Sequence, residues 1–373
     1  MHFFDTYSSN TLAGSANQHF FIAEKGKHTG RVFYKIFKEG EFNYSILFSN
    51  IIDGTYGLGD VSHKNYICDS WTIHSARVAK WDKNTDFTDM FDGDNSSRIN
   101  NTDAEFLPLT FDGSPLKIVH PGEIFSSDPV LMSFEKDDYL CLEITFEGRE
   151  IPYHEESVLP VFRKTENGWE YNREMPFASM VGADIKSKAK IAFVGDSITQ
   201  GIGAGYNTYK HWNAVFSEKL GDEYSYWNLG IGYARAGDMA SDGAWGYKAK
   251  QNDIIFVCYG VNDILQGHTV SDVKRDLTAI IDNFKKLGKK VILQTVPPFT
   301  YSPECTERWK EVNSIIKNEL SEKVDFVFDN APILQVQGKP GVPMYEAHPN
   351  EQGCVLWGEA LYEELKAVIG ELL

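Results

Sequence analysis

The fold of the second half of the chain is decided by residues 190–201, KIAFVGDSITQG. Residues 190–194 are mostly apolar and predict a buried strand, which turns at once into a polar, glycine-marked segment. Gly195 stands two residues before Ser197, so a tight turn can present the serine hydroxyl outward as a candidate nucleophile. The stretch is not the GxSxG nucleophile elbow, because threonine occupies position 199.

Alternation of strands and helices continues from this stretch to the C-terminus. Apolar runs predict further strands at 224–227, 253–259, 291–296 and 324–328. Amphipathic patterns predict helices at 207–220, at 271–287 with Ser271 as the cap, from Pro303, and from Asn350 to about Leu373. Apolar strands joined by such helices are typical of a parallel sheet covered on both faces.

The first part of the chain has a different pattern. Short β-branched and aromatic runs lie at 31–36, 44–48, 70–73 and 139–146, with Asp-Gly and Glu-Gly turn signals between or beside them. Such runs without helical periodicity predict an antiparallel sandwich or jelly roll. We therefore expect a β-sandwich (jelly-roll) domain at 1–168, a linker at 169–188 and an α/β domain at 189–373.

The composition excludes several classes of partner. The 373 residues include 36 basic and 53 acidic side chains, a net charge of −17 that disfavours nucleic acid and anionic membrane surfaces. Residues 1–5 lack the basic and apolar regions of a signal peptide, and no apolar run has the length of a membrane helix, so we expect a cytoplasmic protein without a membrane partner. The five scattered cysteines form no CxxC pair, and the histidines show no ligand spacing, so no metal and no cofactor is predicted.

Three further segments place polar chemistry after predicted strands or before a helix. Residues 228–233, NLGIGY, could supply backbone N–H groups to an oxyanion. Residues 260–263, GVND, place Asn262 at a strand end, where its amide could donate to the same oxyanion. His348 precedes the last helix in a loop, a better position for a general base than an apolar helix face.

Together with residues 195–199, these segments resemble, in order, the four signature blocks of the SGNH (GDSL) hydrolase superfamily. The resemblance covers about residues 189–373 and implies a three-layer, flavodoxin-like α/β catalytic domain. It implies that Ser197 is the nucleophile and His348 the general base. It also implies an oxyanion hole formed by the backbone N–H of Ser197, an N–H of the second block and the side chain of Asn262.

The chain departs from the family pattern at two positions. The oxyanion glycine of the family usually stands five residues after the asparagine, which here is Tyr233, so we expect Gly232 to take its place. The family aspartate three residues before the histidine is replaced by Tyr345. Glu346 could serve as the acid instead, a Ser–His dyad could operate as in some family 2 carbohydrate esterases, or a distant acid such as Asp329 could act.

Aromatic residues suggest where a substrate binds. Tyr206 and Trp245 lie in loop-like, glycine-flanked stretches near the first and second blocks, and Tyr345 lies beside the candidate base. We expect these three to contact the substrate. Tryptophans at helical spacing with apolar neighbours are predicted to be core residues, namely Trp212, Trp309 and Trp357.

The resemblance, including the β-sandwich that precedes the SGNH domain in family 2 carbohydrate esterases, implies a serine esterase. Its expected substrate is a small-molecule or oligosaccharide ester, and acetyl is the expected acyl group. The same superfamily contains lipases, lysophospholipases and thioesterases, which remain alternatives. A further alternative is a catalytically inactive carbohydrate-binding protein, favoured by the missing aspartate.

Overall fold

The chain forms two compact units in a computed structural model that describes residues 2–54, 56–57, 61–62, 64–100, 104–334 and 348–373. The N-terminal unit comprises Met1–Asp53 and Asn65–Lys186. The C-terminal unit comprises Gly54–Lys64 and Ser187–Leu373. A short segment from the first half of the sequence therefore belongs to the C-terminal unit, which the sequence pattern did not indicate.

The N-terminal unit is built from antiparallel strands. One sheet has five strands, with Gly40–Ser49 at its centre and the others at Ser8–Ser9, Ile124–Ser126, Val130–Phe134 and Met180–Ala183. A second sheet has seven strands, at His28–Lys35, Trp71–Trp81, Leu107–Leu109, Lys117–Val119, Tyr139–Gly148, Val161–Thr165 and Gly168–Tyr171. Short strand pairs and helices complete the unit: His19–Ile22 with Glu150–Tyr153, Ile51–Ile52 with Tyr66–Ile67, and the helices Phe3–Thr6 and Ser96–Ile99. A further short pair, Tyr56–Gly57 with Val61–Ser62, belongs to the C-terminal unit.

The predicted strand-rich character of this unit is confirmed, and all four quoted runs fall on strands. Aromatic residues of the larger sheet pack around Phe33, whose neighbours include Trp81, Phe87 and Phe162. These large rings supply much of the apolar area that stabilises a sheet-based core. The jelly-roll connectivity stays a prediction.

The predicted linker at 169–188 differs from the structure. Gly168–Tyr171 pairs with Val161–Thr165, and Met180–Ala183 pairs with Gly40–Ser49, so the segment contributes two strands to the sheets of the N-terminal unit. Each of these strands has four residues, the shortest length over which alternation can be recognised in a sequence. Gly168–Tyr171 forms a hairpin with the preceding strand, whereas the partner of Met180–Ala183 lies far away along the chain.

The C-terminal unit contains a parallel sheet of five strands. We label them β1 (Lys190–Gly195), β2 (Ser225–Asn228), β3 (Ile254–Cys258), β4 (Lys290–Gln294) and β5 (Phe326–Phe328). Their order across the sheet is β2-β1-β3-β4-β5, and every pairing is parallel. The direction of winding reverses between β1 and β3, and open α/β sheets bind ligands outside the carboxyl ends of the strands at such a point. The predicted parallel sheet is confirmed.

Helices connect these strands. They span Ser197–Gln200, Trp212–Leu220, Ala236–Ala240, Ala244–Ala249, Val261–Leu265, Val270–Lys285, Pro303–Asn318, Ala331–Leu334, Glu351–Leu365 and Val368–Glu371, with a 3₁₀ turn at Leu320–Lys323. Thr269, rather than Ser271, caps one long helix, because its hydroxyl accepts the Asp272 N–H and forms a capping box. The helix predicted from residue 207 begins at Trp212, since Asn207 and Tyr209 have positive φ.

None of the helices in the described ranges combines the length and the apolar composition that crossing a bilayer requires.

Candidate active site

The candidate nucleophile lies in a tight turn after β1. Asp196 caps the short helix that begins at Ser197, and its carboxylate accepts the Ile198 N–H at 3.0 Å. A Cβ on Gly195 would collide with Thr199 Oγ1, and it would stand 2.6 Å from the Cys258 carbonyl. Only glycine therefore fits where the strand turns into the helix. The turn buries Ser197 to 8% exposure.

The structure brings Ser197 and His348 together. Ser197 Oγ lies 2.7 Å from His348 Nε2, across 151 residues of sequence. The loop after the nucleophile helix also packs on this histidine, since a Cβ on Gly203 would collide with the Pro349 carbonyl and approach His348 Cβ to 3.1 Å. Glycine at position 203, with φ of +100°, permits this close approach. A serine hydroxyl hydrogen-bonded to an imidazole is the arrangement that an activated serine nucleophile requires.

The second signature block, residues 228–233, is hydrogen-bonded to the end of β1. The Ile231 N–H donates to the Gly195 carbonyl at 3.0 Å, and the Leu229 N–H donates to the Phe193 carbonyl at 2.9 Å. A third N–H of the block, that of Gly230, donates inward to Asn228 Oδ1. The positive φ of Tyr233, +61°, marks a sharp turn at the end of the block. Three amides are thus already used, and the N–H of Gly232 stays the predicted oxyanion donor.

Buried amides join the second block to the nucleophile turn. Asn228 Nδ2 and Asn213 Nδ2 both donate to the Thr199 carbonyl, at 3.1 Å and 2.6 Å. A Cβ on Gly230 would collide with the backbone N of Gln200, so the two segments are in direct contact. The network holds the nucleophile turn and the second block as one piece, which limits their relative movement.

Asn262 follows β3, the strand next to β1, and Gly195 and Cys258 are register partners at the two strand ends. Its Nδ2 donates to the Ala234 carbonyl at 3.1 Å, which fixes the side-chain amide. An amide nitrogen carries two N–H groups, so one more can point at a ligand. The neighbouring Asp263 accepts the Ala236 N–H with both carboxylate oxygens, at 3.1 and 3.2 Å. Asn262 and Asp263 together hold the segment that follows the second block.

The two aspartates beside the candidate catalytic residues have shifted pKa values. Burial raises the pKa of Asp196 to about 7, opposed by the Ile198 N–H and reinforced by the charge of Asp263. Burial likewise raises the pKa of Asp263 to about 7, opposed by the Ala236 N–H and reinforced by Asp238. Groups with strongly shifted pKa values are often found at functional sites.

The predicted contact of Trp245 with substrate is wrong for this structure. Trp245 is 1% exposed, its indole N–H donates to the Leu229 carbonyl at 2.8 Å, and its ring meets Tyr259 edge to face at 5.9 Å. Flanking glycines suggested an exposed loop, but the residue lies in a short buried helix. Trp245 thus supports the second block through its hydrogen bond to Leu229. The three tryptophans that were predicted to be core residues are buried, namely Trp212, Trp309 and Trp357.

The remaining predicted site residues have different outcomes. Tyr206 is 43% exposed in the loop after the nucleophile helix, and its contact with substrate stays a prediction. Tyr345 and Glu346 lie outside the described residues, so their predicted roles stay predictions as well. Asp329 accepts from Thr295 Oγ1 and from Lys317 Nζ, each at 3.0 Å. Its role as the distant acid stays a prediction.

Sequence reasoning missed Phe299. The residue lies in the loop after β4, and its ring stands 5.6 Å from the His348 ring at 76°, edge to face. The side chain is half-buried. The available signal was its position, since the loop beyond β4 opens at the same edge of the sheet as the loops after β1 and β3.

A comparison with family models identifies the domain that carries this geometry. The model of the GDSL-like Lipase/Acylhydrolase family matches residues 193–355. This part of the chain is a GDSL-like lipase/acylhydrolase domain. The match spans all four segments, from the nucleophile turn to His348. A search of curated proteins found no significant match to the chain.

Solved structures similar to the GDSL-like domain cover about half of the chain. A putative lipolytic protein of the G-D-S-L family from Desulfitobacterium hafniense is 22% identical, with TM-score 0.41, over 47% of this chain and 98% of its own. Est24, a carbohydrate acetylesterase from Sinorhizobium meliloti, is 15% identical, with TM-score 0.42, over 48% and 100%. A mutant of Axe2, an acetylxylan esterase from Geobacillus stearothermophilus, is 18% identical, with TM-score 0.42, over 48% and 95%.

No cluster of three or more His, Cys, Asp or Glu side chains able to hold a metal ion occurs within the described part of the chain. Four of the five cysteines are buried thiols. The absence of a cofactor stays a prediction.

Proposed function

We propose that the GDSL-like domain is a serine esterase that hydrolyses small acyl esters, acetyl above all, on carbohydrates. The observation that carries the proposal is the 2.7 Å hydrogen bond between Ser197 Oγ and His348 Nε2. It lies beyond the carboxyl ends of the strands of a parallel sheet. A serine paired with a histidine in this way serves acyl transfer, because the imidazole can take the hydroxyl proton as the oxygen attacks.

The proposed reaction has two halves. Ser197 Oγ bonds to the ester carbonyl carbon while its proton moves to His348 Nε2, and the carbonyl oxygen becomes an oxyanion. The bond from that carbon to the alcohol oxygen then breaks, and His348 returns the proton to the departing alcohol. Water attacks the acyl-Ser197 intermediate by the same route and releases the carboxylic acid.

The oxyanion requires donors already in place. The Ser197 N–H is one of the first amides of a helix, which have no partner within the helix. We assign the other two donors to the Gly232 N–H and to Asn262 Nδ2, as the family pattern implies. The contacts of Asn262 with Ala234, and of Trp245 with Leu229, support the proposal because they hold these donors rigidly.

The variant Glu346→Gln tests whether Glu346 is the acid that orients His348. In a triad the carboxylate holds the imidazole and stabilises its charged form, so its loss should lower kcat by about 10⁴-fold. In a dyad, kcat should fall by less than about tenfold. A loss below about tenfold would leave a dyad or the distant acid Asp329.

The carbohydrate part of the proposal rests on the sequence resemblance to family 2 carbohydrate esterases, with strands ahead of the catalytic domain. The net charge of −17 agrees with this substrate, because a neutral acetylated sugar is not repelled by a negatively charged protein. The acetate product is negatively charged and is repelled.

The proposal is tested with nitrophenyl esters of acetate and octanoate. We expect wild type to prefer acetate, and Ser197→Ala to lower kcat by at least about 10⁴-fold on the scale of other serine hydrolases. Ser314→Ala, a serine change on the exposed face of a helix, is the matched control and should keep full activity. Preference for octanoate would favour a lipase, and no turnover by wild type would favour a binding protein.

A further inference from the structure

The loop after β4 is anchored at its second residue, Val296. The carbonyl of Val296 accepts from Trp309 Nε1 at 2.8 Å and from Asn313 Nδ2 at 3.0 Å. The N–H of Val296 donates to Asn313 Oδ1 at 2.8 Å. Two prolines, Pro297 and Pro298, follow and restrict the backbone further. The position of the next residue, Phe299, is thus set by buried hydrogen bonds rather than by a free loop.

Phe299 stands at the end of a row of aromatic rings. Its ring lies 5.9 Å from that of Tyr301, which lies 6.3 Å from that of the buried Trp309. On the other side the Phe299 ring meets His348 at 5.6 Å. Such ring contacts, together with the anchored backbone, fix an aromatic surface beside the imidazole. Because Phe299 is only half-buried, part of this surface is accessible to a ligand.

The chemistry of the proposed reaction decides which part of the substrate lies there. His348 Nε2 must return a proton to the alcohol oxygen, so that oxygen has to come within hydrogen-bond reach of the imidazole. The carbonyl oxygen of the ester is held instead by Asn262 and the backbone amides. A side chain packed against the His348 ring therefore borders the alcohol and not the acyl chain.

We propose that Phe299 is a specificity-determining residue that forms the wall of the alcohol subsite and selects esters of ring-shaped alcohols such as sugars. This inference rests on the proposed esterase function and deepens it. A rigid aromatic face matches the flat C–H face of a sugar ring and loses little entropy on contact. A short acyclic alcohol leaves the same surface uncovered.

Two series of esters test the assignment. In the first the acyl group is always acetyl, and the alcohol is ethanol, cyclohexanol or a monosaccharide. In the second the alcohol is always ethanol, and the acyl group is acetyl, propanoyl or butanoyl. We expect Phe299→Ala to lower kcat/KM for the cyclic acetates by about tenfold relative to ethyl acetate, mainly through KM, and to leave the acyl preference unchanged. Phe299→Tyr keeps the ring and should restore the preference, while Phe299→Leu keeps apolar volume and should not.

Other results would overturn the inference. A changed acyl preference with an unchanged alcohol preference would place Phe299 on the acyl side. An equal loss of kcat on every ester, without a change in KM, would mean that the ring only supports His348. Wild-type activity on these esters that Ser197→Ala abolishes keeps the esterase proposal intact in either case. Inactivity of wild type would reject the esterase proposal itself.

Discussion

One buried carboxylate of the N-terminal unit and two of the C-terminal unit have different hydrogen-bond partners. In the N-terminal unit the buried Glu143 lies between two arginines, with its oxygens 2.7 Å from Arg31 Nε and 2.7 Å from Arg77 Nε. The Arg31 guanidinium in turn stacks on Trp169 at 4.6 Å. In the C-terminal unit the buried Asp196 and Asp263 accept backbone N–H groups, and their pKa values rise to about 7.

The difference shows two ways of satisfying a buried carboxylate. Glu143 is compensated by opposite charge. Asp196 and Asp263 are hydrogen-bonded by backbone amides instead, and burial raises their pKa values at the place where the chemistry is proposed.

The first variant tests the proposed chemistry of the C-terminal unit. Asn262→Ala removes a side-chain donor to the oxyanion and should lower kcat by about 10²–10³-fold. Activity on nitrophenyl acetate measures the loss. Asn318→Ala, an exposed asparagine near the end of a helix, serves as the control and should be silent. A loss below about threefold for Asn262→Ala would remove this residue from the oxyanion hole.

A change in the N-terminal unit should affect stability and leave the chemistry alone. Glu143→Gln leaves the Arg31 charge buried without its counter-charge, and we expect a loss of about 2 kcal/mol in the free energy of unfolding. Urea denaturation measures it, with Glu135→Gln as the exposed matched control. The kcat of the folded variant should equal that of wild type. A neutral effect on stability would mean that the ion pairs do not compensate the buried charge.

The last prediction concerns the pH dependence of stability. An unfolded aspartate releases its proton near pH ~4, whereas folded Asp196 keeps it to about pH 7. Between these values the folded state binds more protons, so this group's contribution to stability is lost as pH rises from about 4 to about 7. Asp196→Asn stays neutral, and its stability should decline less with pH across that window than that of wild type. Equal slopes in thermal unfolding from pH 4.5 to 7.5 would contradict the shifted pKa.

The sequence predicts most of the C-terminal unit because its signals are local. Each apolar run from Lys190 to Phe328 lies on a strand of the parallel sheet, and the glycine-marked segments follow the strand ends. The register of β1 with β3 then brings the loops of Ser197 and Asn262 to one edge. Motif spacing alone could indicate that convergence, since parallel strands end on the same side of a sheet.

The errors arise where tertiary contacts decide the outcome. Trp245 was predicted to contact substrate from its glycine neighbours, but the acceptor of its indole N–H, the Leu229 carbonyl, lies 16 residues away. The strand Met180–Ala183 depends on a distant pairing partner, Gly40–Ser49. The strand Gly168–Tyr171 pairs with the preceding strand, Val161–Thr165, in a hairpin that was not predicted. Phe299 gains its role only from its contact with His348, 49 positions later in the sequence.

The proposed function requires Ser197 to be a nucleophile that His348 activates. A nitrophenyl alkylphosphonate tests it directly, because an activated serine displaces nitrophenol and keeps the phosphonyl group. Intact mass followed by peptide mapping should show one adduct, on Ser197, that is absent from Ser197→Ala and forms far more slowly in His348→Ala. An adduct on another residue, or an equal rate of labelling in His348→Ala, would contradict the account.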